Sequence, residues 1–185
     1  MQDIYVSTDV ESDGPVPGLH SMLSFGSAAF GQDGRLVSTH AANLCLLEGA
    51  QGDAATMDWW RANLAAWEAT RQDCILPDAA MRGYVDWLAV LPGRPVFVGY
   101  PAVFDFMFIQ WYLVRFTGAS PFGHSAIDIR SYAMGAMGVD FRSTAKRCLP
   151  QRWLCESPHT HVALDDALEQ GRLFCNMLLE RRGTG

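Results

Sequence analysis

At 185 residues, 49% apolar and 18% charged, the chain is sized for one globular domain with its own core, which excludes a disordered protein. A formal charge of −6 argues against a broad basic groove for duplex nucleic acid, but leaves room for a small phosphate site centred on cations. No basic leader, signal-length apolar segment or membrane-length run is read, and the five cysteines include no Cys-x-x-Cys pair; a cytoplasmic protein with free thiols and no membrane partner is expected.

Residues 3–11 read as a short apolar strand ending in Asp9 and Glu11. A strand repeats every two residues, so these carboxylates point the same way and repel unless a proton or a cation intervenes. Gly14, Pro15, Pro17 and Gly18 then form a turn. Residues 20–30 and 36–41 are expected as strands joined by a hairpin at Gly31-Gln32-Asp33-Gly34, making an antiparallel three-stranded meander. Residues 44–52 read as irregular.

From Thr56 the period changes. Thr56 is the expected cap of a helix through Met57, Trp59, Trp60, Asn63, Leu64, Trp67 and Glu68, and residues 73–77 interrupt it. A second helix over 78–91 is stopped by Pro92-Gly93. Residues 95–100 form a buried central strand, followed by an apolar helix over 104–116 that carries Asp105. A loop at 117–124 leads to a helix over 127–137, ended by Gly138. A long polar region reaches His161, and the last helix spans 162–182, with Arg181 and Arg182 at the negative end of its dipole. Strands first, then helices with one strand among them, describe an α/β sandwich on a mixed sheet.

Asp105 stands in Val103-Phe104-Asp105-Phe106-Met107-Phe108, where a charged carboxylate is costly unless it is paired, caps the helix or binds a metal. Asp165 and Asp166 lie near the start of the last helix, off its apolar stripe, so periodicity does not choose between them. His159 and His161 precede that helix, and a histidine there either caps it or accepts a proton from water. Several carboxylates with a nearby base are what two-ion phosphodiester cleavage requires.

The ordered set Asp9-x-Glu11, Phe104-Asp105 after a short apolar strand, and His161-Val-Ala-Leu-Asp-Asp166 resembles the Asp-Glu-Asp-Asp-His (DEDDh) family of 3′-to-5′ exonucleases, which includes proofreading exonucleases, oligoribonuclease and RNase T. Residues 19–26, Leu-His-Ser-Met-Leu-Ser-Phe-Gly, and Thr56-x-x-Trp59-Trp60 resemble its small RNase AS-type exoribonucleases. The resemblance implies one exonuclease domain over residues 1–185 with a ribonuclease H-like mixed sheet flanked by helices. It also implies two divalent cations, Mg²⁺ or Mn²⁺: Asp9 would bridge them, Glu11 and Asp166 would complete one, and Asp105 would serve the other partly through water. His161 would be the general base. The five-residue step to the last acid selects His161 over His159 and Asp166 over Asp165. Family members commonly carry an Asn shortly before the third acid, where this chain has Gly99-Tyr100-Pro101-Ala102.

On the substrate side, His20, Met22 and Leu23 are candidates to line a terminal-base pocket. Of the adjacent Trp59 and Trp60, at most one can face the site, because neighbours on a helix point apart. Arg142, Lys146, Arg147 and Arg152 could guide a phosphate backbone. The expected activity is 3′-to-5′ hydrolysis of single-stranded RNA to nucleoside 5′-monophosphates by a homodimer. The alternatives are a DNA exonuclease using the same site and a nucleic-acid-binding protein of this fold without turnover. A carboxylate phosphomonoesterase fits less well, since Asp9-Val10-Glu11 is not its Asp-x-Asp motif.

Overall fold

A computed structural model describes residues 2–155 and 161–183; His159 lies outside them. The strands are β1 (Asp3–Ser12), β2 (Met22–Phe30), β3 (Leu36–Asn43), β4 (Arg94–Gly99) and β5 (Ala126–Asp128). The helices are α1 (Ala54–Ala62), α2 (Leu64–Thr70), α3 (Pro77–Ala89), α4 (Ala102–Thr117), α5 (Ile129–Met137) and α6 (Ala163–Gly183). Sheet order is β3-β2-β1-β4-β5, with the meander antiparallel and β4 and β5 parallel to β1. This is the expected mixed sheet flanked by helices, of ribonuclease H-like type.

Strand alternation divides the core. Ile4, Val6 and Val10 of β1 pack with Tyr84 and Leu88 of α3 and with Phe108, Ile109 and Tyr112 of α4. Tyr5, on the opposite face, meets Phe174 of α6 edge to face at 5.1 Å between ring centroids. Asp9 and Glu11 share that second face by period two. Helix α6 therefore runs back along β1: Phe174 meets Tyr5, Gly171 approaches Ser7, and Gln170 Nε2 donates to Thr8 O at 3.0 Å. Its first turn arrives at the acidic end of the strand.

The structure departs from the expected elements in three places. The helix expected from Thr56 begins earlier, at Ala54, and its cap is Asp53, whose carboxylate accepts from Thr56 N at 2.9 Å and Thr56 Oγ1 at 3.0 Å. It also breaks at Asn63, whose side-chain amide donates to Trp59 O at 2.8 Å in competition with the helix ladder. Residues 126–128 form the edge strand β5, so the following helix starts at Ile129 rather than 127. The polar region after α5 is organised as short 3₁₀ turns at Phe141–Thr144, Lys146–Cys148 and Gln151–Trp153. Among the described residues no helix is long and apolar enough to cross a membrane.

Candidate active site

Asp9 lies in register with Gly26 of β2. Because Gly26 has no side chain, the first turn of α6 rests on it: a Cβ there would meet Leu164 N at 2.3 Å and Ala163 C at 2.5 Å. That close approach brings Asp166 to the end of β1. One ligand atom from each of Glu11, His161 and Asp166 lies within 4.8 Å of the others. Asp166 is buried and Asp165 exposed, so the rotation of α6 makes the choice that periodicity could not.

Asp105 reaches the same place from the other layer. Pairing of β1 with β4 runs only to Ser7 and Val98, which leaves the Val10 N–H beyond the parallel ladder. Asp105 Oδ1 accepts that N–H at 3.1 Å, from a side chain only 3% exposed in the first turn of α4. The turn is fixed in its turn by Asp128 at the end of β5, whose Oδ2 accepts from Ala102 N at 3.0 Å and Oδ1 from Ser131 N at 2.7 Å. Sequence reading missed Asp128, because β5 is too short to announce itself.

Burial and mutual repulsion oppose ionisation of these acids. Burial, then the neighbouring Asp166 charge, pushes Asp9 up to about 7, against the pull of Lys146. Burial, then Asp9 and Asp166, pushes Glu11 up to about 9. Burial, then Asp9, holds Asp105 well above the usual carboxylate range, opposed by its bond from Val10. Clustered oxygen donors that are costly to ionise together fit hard divalent cations such as Mg²⁺ and Mn²⁺, which remove the repulsion when they bind.

His161 borders the carboxylates with a left-handed backbone, φ 53°. Its ring meets Trp59 of α1 edge to face, 5.0 Å between centroids at 81°. Trp59 is 40% exposed, whereas Trp60 is buried and its Nε1 donates to Ser12 O at 2.9 Å. The two tryptophans do diverge, and Trp59 is the one facing the site. Met22 and Leu23 are wholly buried in β2, so their side chains offer no surface to a terminal base. His20 is half-buried beside α1, its Nδ1 hydrogen-bonded with Gln51 O at 2.7 Å. A small cleft next to His161 is lined by Ser24, Asn43, Thr70 and Ala163.

Two of the four residues of the basic segment are ion-paired. Lys146 Nζ lies 2.5 Å from Glu169 Oε2, a buried carboxylate one turn beyond Asp166. Arg152 makes a two-pronged contact with Glu180 at 2.7 Å on each oxygen. The Lys146–Glu169 pair was invisible in the sequence, because its members are 23 residues apart.

No family model matches the chain. The 3′-5′ DNA exonuclease Cap18 of Escherichia coli is 33% identical to it over 178 residues, covering 94% of this chain and 90% of Cap18. The chain belongs to the DEDDh family of 3′-5′ exonucleases. Among solved structures, the nuclease domain of 3′hExo, a DEDDh family member bound to rAMP, superposes with a TM-score of 0.72 at 13% identity, covering 97% of this chain and 93% of that one. The zinc-bound E. coli ExoI–ssDNA complex gives a TM-score of 0.65 at 14% identity, covering all of this chain and 42% of that one. These distant likenesses bear on the fold of this DEDDh exonuclease alone. They do not single out the RNase AS-type group expected from residues 19–26 and Thr56-x-x-Trp59-Trp60.

Proposed function

We propose that this exonuclease hydrolyses single-stranded DNA from the 3′ end, releasing nucleoside 5′-monophosphates. The observation that carries the reading is the meeting of Glu11, His161 and Asp166 within 4.8 Å, at the end of the strand that also bears Asp9. Similarity to a DNA exonuclease over nearly the whole chain favours DNA over the RNA first expected. Asp9, Glu11, Asp105 and Asp166 would hold two divalent ions. When bound, such ions supply positive charge at the scissile phosphate and acidify the attacking water.

The chain's own residues do the rest. His161, beside the carboxylates, takes the proton of the attacking water as general base. The Val10 N–H fixes the orientation of Asp105, and Gly26 fixes the approach of α6 and with it Asp166.

A time course on 5′-labelled single-stranded DNA and RNA of one sequence, with Mg²⁺, Mn²⁺ or chelator, tests this. A ladder shortening from the 3′ end, faster on DNA and absent in chelator, is expected. Faster loss of RNA would restore the exoribonuclease reading, and no ladder on either polymer would remove the catalytic one.

A further inference from the structure

We propose that Trp59 is a positioning residue for His161, holding the imidazole against the carboxylates rather than stacking on the substrate. The proposal rests on the nuclease reading above for its catalytic consequence, but not for its geometry. His161 has a left-handed backbone, which a residue with a Cβ adopts only when its surroundings favour it. Its ring meets the Trp59 indole edge to face, at 5.0 Å and 81°. Such aromatic pairs have a preferred geometry as well as an apolar attraction, so they orient as well as hold.

Trp59 can serve as a wall because α1 is fastened to the exit of β1. Trp60 Nε1 donates to Ser12 O at 2.9 Å, directly after Glu11. Asp53 N, at the start of α1, donates to Asp13 O at 2.7 Å. A further bond at 2.7 Å, between His20 Nδ1 and Gln51 O, joins the loop before β2 to the one before α1. Trp60 in turn backs Trp59 edge to face, with 4.8 Å between centroids. The strand that carries Asp9 and Glu11 thus also sets, through α1, where the imidazole sits. Carboxylates and base are registered to one element although His161 is 150 residues from Glu11 in sequence, as the numbering gives.

Proton NMR and steady-state kinetics on wild type, Trp59→Ala, Trp59→Leu and Trp59→Phe test the proposal. In wild type without substrate, the ring current of Trp59 is expected to displace the His161 imidazole proton resonances. That displacement should vanish in the Ala and Leu variants and be partly kept in Phe. On a DNA oligomer, kcat should fall about 3- to 10-fold in Ala and Leu, the fold-change matching an aromatic pair, with KM unchanged and Phe largely restoring the rate. Leu keeps apolar bulk, so its fold serves as the control if Ala melts early. Unshifted His161 resonances in wild type overturn the proposal whether or not the protein cuts nucleic acid. A rise in KM with unchanged kcat would overturn it too and would make Trp59 a base-stacking residue.

Discussion

Asp105 is buried and Asp9 half-buried; desolvation disfavours the charged form of both, with Asp166 adding repulsion at Asp9 and Asp9 adding it at Asp105. Replacing either with Asn keeps the shape and, at Asp105, the acceptor for Val10 N–H. Asp9→Asn and Asp105→Asn are therefore expected to lower turnover about 10²-fold or more, because ion-based charge stabilisation is worth several kcal/mol, while the metal-free protein melts at an unchanged or higher temperature. Near-normal turnover in Asp9→Asn would remove the assigned ion site. The same shifts fix the sign of a pH effect. A carboxyl raised in the folded state binds more protons there than when unfolded, so its stabilising contribution is present at low pH and is lost as pH rises through the folded values of about 7 for Asp9 and about 9 for Glu11. In chelator, melting temperature should fall between about pH 5 and pH 9, and fall less steeply in Asp9→Asn; a fall of equal slope in both proteins would contradict the assignment. At this scale the acids were legible because a charge inside Val103–Phe108, or two at one strand end, needs an explanation. Trp59 was legible only as an aromatic, and its contact with His161 depends on how α1 is tied to Ser12 and Asp13.

The placement of α6 depends on a residue with no side chain. Gly26 admits the helix backbone at a distance where a methyl group would overlap Leu164 N and Ala163 C, and backbone gives way less readily than a flexible side chain. Gly26→Ala is expected to cost about 1–3 kcal/mol of stability, typical of overpacking, and to lower turnover further by displacing Asp166 and His161 from Glu11. Chemical denaturation alongside kinetics checks both; a variant that melts and cuts like wild type would show that α6 can shift without consequence. The meander and the central strand were readable from alternation and from the Asp33-Gly34 turn. The break at Asn63 was not, because Trp60, Leu64 and Trp67 keep a helical spacing across it. Strand β5 escaped notice because a short strand leading straight into a helix has no period to display.

Across the whole molecule, 20 acidic residues outweigh 14 basic ones, and the basic segment before α6 spends Lys146 on Glu169 and Arg152 on Glu180. With acidic residues in excess and two of that segment's four cations paired, affinity for a strand should be concentrated where ions neutralise the carboxylates. Salt reports on this directly, since each phosphate neutralised by a side chain adds about 0.7 to the logarithmic salt slope for single strands. With about three such contacts or fewer, KM for a single-stranded DNA oligomer should rise by less than about 20-fold between roughly 50 and 200 mM salt at constant Mg²⁺. Duplex DNA with blunt ends should be cut slowly throughout, because a chain of net charge −6 has little general attraction for a long duplex. A KM that climbs several-hundred-fold over the same range would instead reveal an extended basic track. Arg142 and Arg147, exposed on the 3₁₀ turns, would be the first residues to replace in that case.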